Sequence, residues 1–389
     1  MDRGDDVGGG AASARVTRRT WRAPLLAAAM LSMAYGVWLG LLRLGWALPL
    51  PRTDHLILHG PLMIGGFLGT LISLERAIGI ARPWAWAAPI ASAAGGAALV
   101  FGVPEPAGPC LFVLASAVVT AVFVTVVVRE PTLFSATMLA GAVMWLAGNV
   151  LWASGFAIYR VVFWWIAFVV LTIAGERLEL TRVLRPPPLA RVTFAAAVAI
   201  VVAGVAEIGL DASAGVRVTG AGLLVLTLWL ASHDVARRTI KQSGLTRYIA
   251  VCLLSGYVWL ALASVIAVWT GAYEPGVVHD ALLHAVFLGF VVSMIFGHAP
   301  IVLPAVTGRP LAYRPALYLP LAILHFSVGL RLVGDMIEEL ARWRAWGGLF
   351  NAASMLVFAG CVAQAFQPPR RNDNVVSTNR AAASPNTGP

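Results

Sequence analysis

Apolar stretches about twenty residues long recur along this chain, divided by short polar links, and that recurrence sets the class of fold before any single residue is weighed. The hydrocarbon core of a bilayer is ~30 Å thick and an α-helix rises ~1.5 Å per residue, so one crossing takes ~20 apolar residues. Twelve such stretches are read, at 23–45, 55–80, 84–103, 108–128, 132–154, 156–178, 190–209, 214–232, 245–271, 279–304, 312–334 and 345–366. With 59% hydrophobic and 12% charged residues, the chain has too little polar surface to cover a soluble domain of this size. Backbone groups in hydrocarbon must be paired within their own segment, so the crossings are expected to be helices. The expected fold is therefore all-α and polytopic, with a twelve-helix transmembrane domain over 23–366. Residues 1–22 are read as a cytoplasmic N-terminal segment. Residues 367–389, rich in Pro, Asn, Ser and Thr, are read as a disordered cytoplasmic tail.

Arg15, Arg18, Arg19 and Arg22 precede the first apolar run, as they would in a secretory signal. The run from Ala23 to Trp46 is too long for a signal core, however, and is read as a span. The net charge of +10 raises nucleic acid as a partner, but the placement of the charge excludes it. With both termini cytoplasmic, twenty-one Lys and Arg fall on the inner side and seven on the outer, the bias of a bacterial inner-membrane protein. The fourteen Trp suit interfacial anchoring. Cys110, Cys252 and Cys361 lie far apart in apolar runs and read as small packing residues.

A faint repeat is visible. Span 2 ends in Leu74-Glu75-Arg76 with Arg82-Pro83 after it, and span 6 ends in Gly175-Glu176-Arg177 with Arg185-Pro186 after it. Span 10 ends in Gly297-His298-Ala299-Pro300, then Gly308-Arg309-Pro310. Elements four spans apart point to three four-helix modules.

Ionisable residues inside a membrane are costly and mark functional sites. By helical rise, His59 on span 2 lies ~6 Å below the outer end and His284 on span 10 ~8 Å below it. His325 on span 11 falls ~10–13 Å from the outer face, so it joins them in depth as a cofactor-site residue, either structural or a secondary donor. Two imidazoles at one depth on different helices can hold a haem iron between them. Pro61 and the small residues Gly60, Gly65, Gly66 and Gly69 near His59, with Ala285 and Gly289 near His284, let a flat macrocycle approach, although they also suit tight helix packing. His55 and His279 are read as outer-surface residues, partly solvated, or as ligands of a peripheral metal, with copper the candidate.

His298 is ~21 Å from His284 along the same helix and cannot share its metal. It belongs with Glu75, Arg76, Glu176 and Arg177 at the cytoplasmic face, a polar cluster that is either a set of ion pairs or a site for proton entry or a quinol headgroup. Pro300 and Pro304 are expected to kink or end span 10. His233 with Asp234, and Asp335 with Glu338 and Glu339, are read as solvated loop residues. No phosphate-binding glycine loop or nucleophile elbow is present, nor is there an acidic residue at the centre of a span, which weakens a proton-coupled transporter reading.

At these residues the chain resembles the catalytic subunit of haem–copper oxidases and, more closely, the NnrS-type membrane proteins associated with nitric oxide stress. The oxidase resemblance rests on twelve spans, the threefold repeat and histidines on spans 2 and 10. The NnrS resemblance rests on His284-Ala-Val-Phe-Leu-Gly-Phe, Phe296-Gly-His-Ala-Pro and Pro304-Ala-Val-Thr-Gly308, echoed by His59-Gly-Pro-Leu-Met-Ile-Gly-Gly-Phe. The oxidase resemblance implies axial ligation of a low-spin haem, taken as haem b, by His59 and His284, and the NnrS resemblance implies a role in nitric oxide response or tolerance. Spans 6 and 7 contain no histidine, whereas oxidases place there the ligands of a second metal, so terminal oxidase chemistry is not expected. Ligation from both sides leaves no open iron position and suits electron transfer. The partners expected are membrane lipid and a quinol or another electron carrier. The alternatives are a haem-free transporter whose histidines line a polar path, and a membrane subunit whose chemistry belongs to a partner.

Overall fold

The computed structural model describes residues 22–50 and 52–366. The expected N-terminal segment, apart from Arg22, and the expected tail lie outside the described residues. Twelve long helices follow in chain order, close to the expected limits: α1 (Arg22–Arg43), α2 (Thr53–Ile80), α3 (Ala87–Val100), α4 (Ala107–Arg129), α5 (Leu133–Ala153) and α6 (Ile158–Thr181). The second half comprises α7 (Pro188–Glu207), α8 (Ala212–His233), α9 (Gly244–Thr270), α10 (Val277–Thr307), α11 (Tyr318–Met336) and α12 (Ala341–Ala365). Eleven of them are long and apolar enough to cross a membrane. The remaining one, α3, has fourteen α-helical residues and is lengthened by the 3-10 turn Pro83–Trp86. The chain is a polytopic all-α membrane protein. Among the described residues the only β-pairing is the isolated bridge Leu311–Phe366, which ties the link after α10 to the end of α12.

Short links make sequence neighbours antiparallel partners, and α1 closes the bundle by touching α10 and α12. The outer surface is apolar: Leu31, Phe101, Val128, Leu210, Trp269 and Leu356 are exposed, a distribution that suits lipid and not water. The most deeply buried spans are α6, α2 and α10, each four apart, in step with the repeat read from their inner ends.

Two of these central helices are interrupted in the same way. In α2 the residues just after His59 leave the α-helical pattern for a π-helical stretch, Leu62–Gly69. In α10 the π-helical stretch Ala285–Val292 begins at the residue after His284. Such wide turns are rare and concentrate at functional sites, because they change which face the following residues present. Pro300 and Pro304 do not end α10, contrary to one expectation. The helix runs through both and stops at Gly308, where φ is +69°.

Two acidic residues read as solvated, Asp234 and Asp335, are buried, and a third, Asp280, is half-buried. Asp234 is buried and takes both guanidinium arms of Arg177, at 2.7 and 2.6 Å, together with the Tyr257 hydroxyl at 2.5 Å. Asp335 is buried between Arg331 and Arg344, with nitrogen–oxygen distances of 4.0 and 3.7 Å. Asp280, in the first turn of α10, is bonded to Arg331 at 2.6 Å. In each case an acid at a helix end meets an arginine from a different helix, a pairing that sequence neighbours do not reveal.

Candidate functional site

His59 and His284 come together. Their ring centres are 6.3 Å apart and their planes differ by 20°. Each ring is oriented through Nδ1 by a backbone carbonyl: His59 by Gly36 of α1 at 2.6 Å, and His284 by Asp280 of its own helix at 2.7 Å. A ring nitrogen bonded in this way donates its hydrogen, which leaves Nε2 as the free lone pair suited to a metal. His233 and His298 make the same four-back bond to Trp229 and Met294, so the bond alone does not single out His284. What singles it out is a second imidazole opposite and a cavity between the helices.

That cavity is about 900 Å³ and is walled by α1, α2, α6, α10, α11 and α12, with Trp152 of α5 at one side. Its length is apolar, with Met63, Phe67, Leu68, Phe287, Val291 and Met355 on the walls. At the histidine end the lining turns charged, with Arg43, Arg331 and Arg344 against Asp280 and Glu105. Gly40 makes room for the His59 ring: a Cβ there would sit 3.0 Å from His59 Cε1. The polar groups of two lining residues, Arg331 Nε and Asn351 Nδ2, are buried donors with no acceptor among the described residues.

These features can be tested against a haem. Ligation of one iron from both sides would need imidazoles from two helices within a few ångströms of each other, and the His59 and His284 rings, centred 6.3 Å apart, are that close. Cofactor-sized ligands occupy cavities of roughly 300–1,000 Å³, a range that includes this one. Among the described residues no group of three or more His, Cys, Asp and Glu can hold a bare ion. A macrocycle needs only two protein ligands, because it brings four nitrogens of its own. The arginines and unpaired donors at one end suit carboxylate groups at the edge of such a ligand.

The other expected site residues are distributed differently. His325 does not face the cavity. Its Nδ1 accepts from Trp259 Nε1 at 2.8 Å and its Nε2 bonds Ser255 at 2.8 Å, so both ring nitrogens are taken up by α9. Shared depth had grouped it with the pair, but depth does not fix the direction around a helix. His55 and His279 are buried rather than partly solvated, with 3% and 5% of their surface exposed. His55 bonds the Tyr35 hydroxyl at 2.7 Å, whereas His279 meets the Ala272 carbonyl at 3.2 Å and packs edge-on against Phe163. His279 also lines the cavity.

At the inner end, Arg76 pairs with both Glu75 and Glu176, which joins α2 to α6 through members of the expected polar cluster. Arg177 leaves that cluster. It points away to Asp234, because successive residues on a helix face directions ~100° apart. Sequence reasoning missed Asp280 and Arg331 as site residues. The available signal was spacing: Asp280 is four before His284, and Arg331 is four before Asp335, each on one helix face.

Residues 22–367 match the model of a protein family described as a domain of unknown function, DUF8744, and the chain belongs to that family. A search of curated proteins finds no match.

Proposed function

We propose that this DUF8744 member is an integral haem b protein of the bacterial inner membrane, in which His59 and His284 would hold the iron, with electron transfer as its role. The observation that carries the reading is the facing pair of imidazoles, 6.3 Å apart, with Nδ1 of each committed to a backbone carbonyl. The bound haem would supply one-electron chemistry. The chain's own residues orient the two rings, exclude water along the apolar walls and offer Arg43, Arg331 and Arg344 to the ligand's carboxylates. The Lys and Arg bias supports an orientation with both termini cytoplasmic and the histidine pair nearer the outer face. A quinol or another membrane electron carrier is the proposed partner. The NnrS resemblance adds nitric oxide response as the physiological setting.

The test is a reduced-minus-oxidised visible spectrum of protein purified in detergent from cells that make haem. Sharp α and Soret bands at near-stoichiometric haem are expected, and His59→Ala or His284→Ala is expected to reduce bound haem at least tenfold while the protein remains monodisperse. A colourless, well-folded wild type would overturn the reading and favour a haem-free path lined by the same histidines.

A further inference from the structure

The two histidines are held by unequal partners. His59 Nδ1 meets a single neutral acceptor, the Gly36 carbonyl. His284 Nδ1 has a second neighbour beyond its carbonyl: Asp280 Oδ1 lies 3.4 Å away. The other oxygen of that carboxylate is held by Arg331 Nη2 at 2.6 Å. Arg331 is itself almost fully buried, with 7% of its side chain exposed, and its Nε lies 4.0 Å from Asp335 Oδ2. Asp335 faces Arg344 at 3.7 Å on α12. A line of alternating charges therefore runs from His284 through Asp280, Arg331 and Asp335 to Arg344, crossing from α10 to α11 to α12. Around His59 the charged lining residue of α1 is Arg43, and among the described residues no carboxylate is bonded to the His59 ring.

Resting on the haem reading, we propose that Asp280 is a positioning residue that makes His284 the stronger of the two iron donors, with Arg331 setting how much of the carboxylate's charge reaches it. An anion beside Nδ1–H draws that hydrogen outward and raises the electron density at Nε2. A more basic axial ligand favours ferric over ferrous iron and so lowers the reduction potential. Arg331 opposes this by binding the same carboxylate.

The two partners therefore make opposite predictions. Asp280→Asn removes the anion and is expected to raise the midpoint potential by at least a tenfold change in the reduction equilibrium, which is 59 mV for one electron. Arg331→Gln frees the carboxylate and is expected to lower the potential. The ferric electron paramagnetic resonance g-values are expected to shift in both variants, since the ligand field at His284 has changed. Retention of haem at the wild-type ratio is the check on folding. Shifts in the same direction, or a potential that moves while the ferric g-values stay fixed, would overturn the proposal, the latter by showing a through-space charge effect alone. Loss of haem from both variants would also overturn it, by reducing the pair to a structural support. A wild type that purifies without haem is a different result: it removes the haem reading itself, and this inference falls with it.

Discussion

At the scale of single residues, the site depends on how closely helix α1 approaches α2. The His59 ring lies over Gly40, and the Gly36 carbonyl, one turn earlier on α1, takes its Nδ1 hydrogen. A side chain at position 40 would meet the imidazole at about van der Waals contact or closer, so the ring would have to turn. Gly40→Val is accordingly expected to reduce bound haem several-fold without unfolding the protein, as read by the ratio of Soret to protein absorbance beside a size-exclusion profile. An unchanged ratio would show that the Gly40 contact does not fix the ring. Asp335 shows a second residue-scale effect. It stands in a stretch that reads as an ordinary polar loop, yet its carboxylate is enclosed between two arginines.

At the scale of elements, the paired π-helical stretches in α2 and α10 are the feature that most needs explanation. Each begins within three residues of a site histidine. A π turn spends an additional residue per turn, and so rotates everything beyond it relative to an unbroken α-helix. Removing Leu71, in the α-helical half of α2 beyond the first stretch, meets no wide turn to absorb it and would swing His59 by ~100° relative to the inner end of α2. The expected result is a protein that still inserts in the membrane but retains less than a tenth of its haem, measured by pyridine haemochrome against protein mass. The next helix sets a separate limit: a Cβ on Gly66 would lie 2.7 Å from Ser32 Oγ on α1 and 3.3 Å from the Gly96 Cα on α3. Gly66→Leu would therefore push α1 and α3 off α2 and cost about 1–3 kcal/mol by overpacking. A fall in the thermal midpoint in detergent checks this, and an unaltered midpoint would mean that the three helices can separate without penalty.

At the scale of the whole molecule, the Arg177–Asp234 pair joins α6 to the end of α8, and Tyr257 adds α9. Arg177 and Asp234 are 3% and 1% exposed, so removing one partner strands a buried charge. Asp234→Asn is expected to destabilise the fold by about 3–5 kcal/mol, while replacing both partners by apolar residues of similar size recovers most of the loss. Thermal denaturation of the single and double variants decides between this and a solvated surface pair, for which both changes would be near neutral. None of Arg177, Asp234 and Tyr257 lines the histidine cavity, so bound haem per folded molecule is expected to remain at its wild-type value in the double variant.

The sequence by itself determined the crossings. Apolar length and the internal pairing of backbone groups require helices, and the twelve stretches agree with the observed helices to within a few residues, apart from the short α3. Helical rise also placed His59 and His284 at one depth, and Glu75, Arg76 and Glu176 together at the inner face, where Arg76 does pair with Glu176. Only the tertiary structure decided which side chains face one another. Depth comes from counting along a helix, but azimuth depends on π turns, on glycine contacts with neighbouring helices and on packing that no single segment encodes. For that reason His325 turned to Trp259, Arg177 turned to Asp234, and Asp280 with Arg331 joined the site.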